Sequence, residues 1–158
     1  MSKANDYFRV DMVTENGSLI HFHRCFPTEI HINKKSIDMG AEIKNFIVIR
    51  NTIILSTDHS DFYSPFERDK AAPFEGENLY ALDTDGNIIW KSKDLITDAK
   101  APFGIVYPIC EINKNDYISW TGVIEVGHDY CVCQNSYEQT YLIDVTDKKM
   151  IGKRTYKC

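Results

Sequence analysis

The chain has 158 residues, of which 43% are hydrophobic and 26% are charged, a composition typical of one soluble globular domain with a sizeable core. Its 18 basic and 23 acidic residues give a net charge of −5, which is the wrong sign for a general binder of nucleic-acid phosphates. The sequence has no run of 18 apolar residues, which a membrane-spanning helix would need. The N-terminal residues lack the apolar segment of a secretory signal.

Apolar and polar residues alternate with a period of two through most of the chain, which predicts β-strands. Short turns rich in Gly, Asn and Asp separate neighbouring strands and favour antiparallel hairpins. The predicted strands are 7–13, 18–24, 29–33, 46–49, 53–56, 79–82, 87–90, 123–126, 130–133, 141–145 and 150–154. A short helix is predicted over 93–100, and a helical turn within 36–44. The sequence therefore predicts an all-β fold with little helix.

A repeated pattern groups these strands into units. Residues 49–55 match 126–132, and residues 79–83 match 140–144. Each unit then contains two hairpins, or four antiparallel strands. The expected parts of the single domain are an N-terminal hairpin and connector (1–44), a first unit (45–92) and a second unit (93–158). The first unit carries about 16 residues more than the second between its two hairpins.

One hairpin carries a motif that is found in a known family. An Ala-x-Asp strand, a Gly turn and a following Trp occur at Ala81, Asp83, Gly86 and Trp90. This segment resembles the blade motif of quinoprotein-type β-propellers, in which the Trp packs between blades. The resemblance implies a partial propeller and no quinone binding. Two units and a hairpin are too few for a closed ring, which needs at least four blades.

The extra residues of the first unit form a connector, residues 56–78, that is unusually acidic and aromatic. A long loop of this kind in a compact domain is typically functional. Aromatic side chains surrounded by acids are typical of an interface for a basic protein. The predicted contact residues are Asp58, Asp61, Phe62, Tyr63, Phe66, Glu67, Asp69, Phe74, Glu75 and Glu77. Alternatively, the aromatic side chains cover an open edge of the protein's own sheets, and the acids form a solvated rim.

A small, acidic, all-β domain with one enlarged loop resembles the immunity proteins of bacterial toxin systems, including contact-dependent inhibition. The resemblance implies one cognate protein toxin as partner, often a basic nuclease domain, which is blocked sterically. It also implies a monomer or a 1:1 complex, with no membrane contact and no direct binding of nucleic acid. We expect no enzymatic activity and no cofactor, because no catalytic motif is specific enough to name a reaction.

Three other functions remain open. A small-ligand or carbohydrate-binding module could use Trp90, Trp120 and the tyrosines as stacking surfaces. An enzyme would need an acid–base pair, for which His59, between Asp58 and Asp61, is the one candidate that we can name. A blade-like module could also complete a propeller by self-association.

The cysteines and histidines indicate the compartment and a possible metal site. Five cysteines, an odd number without the spacing of a disulfide framework, favour reduced thiols in the cytoplasm. Cys131 and Cys133 share one strand face and are expected in the core. His21, His23 and Cys25 alternate along a predicted strand and could hold zinc, but no fourth ligand is indicated nearby. We therefore expect a polar strand face and no metal there.

Overall fold

The computed structural model describes residues 9–58, 77–108, 127–135 and 139–155. Within these residues the chain forms twelve strands and one short helix. The strands are β1 (Arg9–Val13), β2 (Leu19–His23), β3 (Glu29–Ile32), β4 (Lys35–Asp38), β5 (Ile43–Ile49), β6 (Thr52–Thr57), β7 (Leu79–Leu82), β8 (Ile88–Lys91), β9 (Phe103–Pro108), β10 (Tyr130–Asn135), β11 (Gln139–Asp144) and β12 (Lys149–Thr155). Helix α1 (Ser92–Leu95) follows β8.

The strands form three sheets of four, each a simple antiparallel meander. The first sheet contains β1 to β4, the second β5 to β8 and the third β9 to β12, in chain order across each sheet. The predicted all-β fold of antiparallel hairpins is confirmed. The Asn16–Gly17 turn joins β1 to β2 as expected, since Gly17 has a φ of +86°.

The first sheet is larger than the hairpin that the sequence predicts. Residues 36–44 were expected to contain a helical turn, and that prediction is wrong. Asn33, with a φ of +57°, makes a tight turn that brings β4 back along β3. Ile37 of β4 then pairs with Ile30 of β3. Ile37, the one apolar residue of β4, therefore lies on the core side of the sheet.

The third sheet begins earlier in the chain than expected. The neighbours of β10 are β11 on one side and β9 on the other, whereas the sequence predicts residues 123–126 beside β10. Residues 123–126 lie outside the described part of the chain. The helix expected over 93–100 is limited to α1, because Ile96 is extended and buried.

The repeat is visible in the strand register of the second and third sheets. Tyr80 of β7 pairs with Lys91 of β8, and Tyr141 of β11 pairs with Lys153 of β12. In both sheets a bulge follows between the first and second residues after the tyrosine. The matched sequences therefore occupy equivalent places in their sheets.

The core consists of two layers between stacked sheets, with the second sheet in the middle. One layer joins the first and second sheets through Ile20, Phe22, Ile30, Ile32, Ile53, Leu55 and Leu82. The other joins the second and third sheets through Ile54, Leu79, Ala81, Trp90, Cys131, Cys133, Tyr141 and Ile143. Both cysteines of β10 are free and buried, as expected. Burial raises the pKa of the Cys131 thiol to about 12, so this thiol stays protonated.

Candidate functional site

The structure describes both ends of the connector. Asp58 is exposed near its start, and its N–H donates to the carbonyl oxygen of Glu42 at 2.7 Å. Glu77 is half-buried near its end. The other predicted contact residues lie outside the described part of the chain: Asp61, Phe62, Tyr63, Phe66, Glu67, Asp69, Phe74 and Glu75. His59 and Trp120 also lie outside it.

The two ends of the connector are held together by a buried asparagine. The Thr57 N–H donates to the carbonyl oxygen of Asn78 at 2.8 Å, and the Asn78 amide donates back to the carbonyl oxygen of Thr57 at 2.9 Å. The same amide donates to the carbonyl oxygen of Phe103 at 2.6 Å and accepts from the Phe103 N–H at 3.0 Å. Asn78 thereby ties both ends of the connector to the first strand of the third sheet.

Glu77 fixes the end of the connector to helix α1. One carboxylate oxygen accepts from the Leu79 N–H at 3.2 Å and from the Ser92 hydroxyl. The other accepts from the Lys93 N–H at 2.8 Å. A carboxylate at a helix N-terminus is favourable because it pairs with unsatisfied N–H groups. Glu77 therefore has a role within the fold that the sequence did not suggest.

A groove lies beside the start of the connector, between the first and second sheets. Its volume is about 410 Å³, and Val10, Met12, Phe22, Pro27, Ile43 and Phe46 provide its apolar lining. Glu42, whose carbonyl oxygen accepts a hydrogen bond from the Asp58 N–H, also lines the groove. Arg24 and Lys44 line the groove as well, so the described surface next to the connector is apolar with charges of both signs.

At the other end of β6, a salt bridge links all three sheets. Arg50 lies in the β5–β6 turn, with its guanidinium 2.9 Å from Glu15 and 2.8 Å from Asp129. Glu15 belongs to the β1–β2 turn, and Asp129 directly precedes β10. Hydrogen bonding to Asp129 raises the pKa of Arg50 above its usual range. Arg50 thus joins the second sheet to both neighbours at this end, and Asn78 joins it to the third sheet at the connector.

A group of possible metal ligands lies near this end of the third sheet. His128 Nδ1 is 2.8 Å from Asp144 and 3.7 Å from Asp147. Asp144 also accepts the Asp147 N–H at 2.9 Å, so it caps the β11–β12 turn. Asp83, at the matching place in the second sheet, accepts the N–H groups of its own turn. The aspartate therefore has the same turn-capping role in both sheets.

The alternative of a zinc site formed by His21, His23 and Cys25 finds no support, because these residues do not form a group of converging ligand atoms in the described part of the chain. The exposed Cys25 lies in the turn after β2, and its N–H donates to His23 Nδ1 at 3.1 Å. His21 instead faces neighbours on the adjacent strands. Asp11 of β1 is 2.7 Å from its Nδ1, and the ring of His31 of β3 is 5.6 Å away. Sequence reasoning missed His31 because alternation along one strand does not reveal its partner across the sheet.

Trp90, one of the two tryptophans proposed as stacking residues of a ligand-binding module, lies in the core. It is 4% exposed and packs among residues of the second and third sheets. Its indole is therefore not a surface on which a sugar could stack.

No protein-family model matches the chain, and no curated protein is similar to it. Within the described residues, no helix has the length and apolar character needed to cross a membrane.

Proposed function

We propose that the protein is an inhibitor of the immunity-protein type, which binds one basic protein and blocks it sterically. The expected partner is a toxin domain with a cleft for nucleic acid. The acidic side chains of the connector would take the place of phosphates in that cleft, and the aromatic side chains would supply apolar burial. The proposal involves no catalytic step, no cofactor and no membrane contact, and places the protein in the cytoplasm.

The observation that carries the proposal is the fixed stem of the connector. Asn78 holds both ends of the connector against β9, and Glu77 holds the second end against α1. A loop that starts and ends on a rigid base loses less conformational entropy on binding than a loop with free ends. The stem therefore supports a role of the connector in recognition.

The apolar groove beside Asp58 adds to this support. Val10 and Met12 are 37% and 36% exposed, so apolar surface is available next to the acidic segment. A protein interface typically combines an apolar centre with a charged rim. The groove and the connector together offer both parts.

We also infer that the three sheets are successive blades of an incomplete propeller. Each sheet is a four-stranded meander, the sheets pack face to face, and the second and third share their register. The side chains of His21 and His31 on the outer face of the first sheet are partly exposed, which supports an end of the stack there. An experimental structure with regular blade-to-blade rotation would support this inference, and sheets stacked without such rotation would contradict it.

Capture of the partner is the first test of the proposed function. The full chain, immobilised on a support, is incubated with a lysate of its native host, and stoichiometric partners are identified by mass spectrometry. We expect one basic protein that is released at high salt, because salt screens attraction between exposed charges. Its activity should fall in proportion to the added chain. An acidic partner, or no stoichiometric partner, would contradict the proposal.

Charge-matched variants then locate the contact surface. The variant D61N/E67Q/D69N removes three acids from the connector, and D38N/D85N/D147N removes three exposed acids elsewhere. We expect the first to weaken binding about 10- to 100-fold and the second less than about threefold, since only the first removes charges at the interface. Equal losses for the two variants would place the contact surface outside the connector.

A further inference from the structure

Three polar side chains form a row across the outer face of the first sheet. Asp11 on β1 pairs with His21 on β2, and His21 pairs with His31 on β3. The imidazoles are about one-third exposed, at 30% and 33%. They line a cavity of about 470 Å³ together with Asp11 and the apolar side chains of Val13 and Leu19.

Each imidazole has one nitrogen next to a carboxylate. His21 Nδ1 is 2.7 Å from Asp11, and His31 Nε2 is 3.8 Å from Glu29. Because a carboxylate accepts hydrogen bonds, the proton of neutral His21 lies on Nδ1, which leaves the lone pair on Nε2. A histidine whose other nitrogen donates to a carboxylate is the usual arrangement of a metal ligand, because the carboxylate orients the ring and raises its basicity.

The spacing of the two rings suits one shared metal ion. Their centroids are 5.6 Å apart with a tilt of 54°. Two imidazoles bound to one tetrahedral Zn²⁺ have centroids roughly 5 Å apart, given Zn–N bonds of about 2.0–2.1 Å. The observed separation of the two rings is therefore close to the separation that one shared ion requires.

We propose that His21 and His31 bind a late first-row divalent cation, represented by Zn²⁺, at the outer face of the first sheet. Imidazole nitrogen is a preferred ligand of these ions. Asp11 orients the His21 ring, Glu29 places a negative charge near His31, and water fills the remaining coordination positions. The site lies on the first sheet and does not depend on the proposed function. The ion would also clamp β2 to β3, which share only two register pairs.

Zinc titration of the full chain followed by calorimetry tests this proposal. We expect H21Q and H31Q each to lower the affinity for Zn²⁺ at least about tenfold, and D11N to lower it by a smaller factor, because Asp11 acts through His21. H23Q is the matched control, because it removes an imidazole outside the pair and should keep the affinity. An unchanged affinity for Zn²⁺ in H21Q or in H31Q would overturn the proposal. A wild-type chain that binds no Zn²⁺ would also overturn it.

Thermal unfolding provides a second readout that does not depend on heats of binding. Zn²⁺ should raise the Tm of the wild-type chain and of H23Q, because an ion that binds only the folded state stabilises it. It should leave the Tm of H21Q and H31Q unchanged, and these variants should melt cooperatively without metal. An equal rise in all four proteins would mean that Zn²⁺ binds elsewhere, and would overturn the assignment to this pair.

Discussion

Gly86 shows how a single residue can depend on a neighbouring sheet. Its φ of +86° is in the left-handed region, and a Cβ added there would lie 2.2 Å from the side chain of Ile37. Gly17 has the same φ, but a Cβ there would have no heavy atom within 4 Å. The two glycines therefore separate the effect of backbone conformation from the effect of close packing.

We expect Gly86→Ala to lower the free energy of unfolding more than Gly17→Ala does. Both substitutions place a Cβ at positive φ, which costs about 1 kcal/mol. Gly86→Ala also requires Ile37 to move, which costs about a further 1 kcal/mol. Urea unfolding monitored by circular dichroism measures both values. Equal losses would show that the β7–β8 turn does not pack against the first sheet.

Asn78 is the residue on which the stem depends most. It is 1% exposed, and its amide pairs with backbone groups of Thr57 and Phe103. We expect Asn78→Ala to lower the free energy of unfolding by about 2–4 kcal/mol, because buried backbone donors and acceptors lose their partners. Chemical unfolding tests this, with Asn45→Ala, a part-buried asparagine with one hydrogen bond to Val106, as a milder control. Equal effects of the two substitutions would contradict the role assigned to Asn78.

At the scale of elements, the sequence predicts hairpins better than it predicts sheets. The turns at Gly17 and Gly86 have residues suited to positive φ, and the flanking strands alternate clearly, so those hairpins were predictable. Only one of the four residues of β4, Ile37, is apolar, and β9 contains Gly104 and Pro108. Neither segment therefore has a strong strand pattern. Their strand character depends on pairing with neighbours that the local sequence does not specify.

The same limit applies to the candidate sites. The length, acidity and aromatic content of the connector can be read directly from the sequence. The contact of Glu77 with α1 spans 16 residues, and the contact of His21 with His31 requires the register of β2 and β3. Such contacts follow from tertiary structure, so a pattern along one segment cannot predict them.

Helix α1 offers a test that separates a structural carboxylate from an interface carboxylate. Glu77→Gln should lower the free energy of unfolding by about 1 kcal/mol, because it removes the charge that caps the helix. Asp58→Asn removes an exposed charge and should leave stability within about 0.5 kcal/mol. Thermal or urea unfolding of both variants checks the difference. A destabilised Asp58→Asn with an unaffected Glu77→Gln would reverse the roles of the two carboxylates.

The pH dependence of stability also depends on contacts between elements. Burial alone would raise the pKa of Asp98, but hydrogen bonds from Lys153 of β12 and Tyr141 of β11 lower it below the usual value for aspartate. A carboxyl group with a lowered pKa stabilises the folded state above the pKa of the unfolded chain. That contribution is lost as the pH falls through the lower, folded-state pKa.

Removal of the Lys153 ammonium should therefore matter less in acid. We expect Lys153→Met to lower stability at neutral pH and to have a smaller effect at about pH 3, where Asp98 becomes protonated in the unfolded chain. Urea unfolding at the two pH values measures the difference. An effect of Lys153→Met that grows as the pH falls would contradict the interaction.

At the scale of the whole molecule, the three stacked sheets are linked by different contacts at the two ends of β6. Arg50 links the β1–β2 turn, the β5–β6 turn and the residue before β10 at one end, and the stem of the connector joins the second and third sheets at the other. Thr57 and Asn78 bond directly to each other, so described residues join β6 to β7 at the two ends of the connector. Residues 61–75, which we propose to bind the partner, lie between these two positions in the chain.

The most direct test of the central claim is the Kd of the captured partner for a chain in which residues 61–75 are replaced by a short Gly-Ser linker. The stem at Thr57, Glu77 and Asn78 is kept, so the variant should melt within a few degrees of the wild-type chain. We predict a loss of affinity of at least about 100-fold, because the proposed acidic and aromatic contacts are removed together. An unchanged Kd in a folded variant would contradict the claim that the connector recognises the partner.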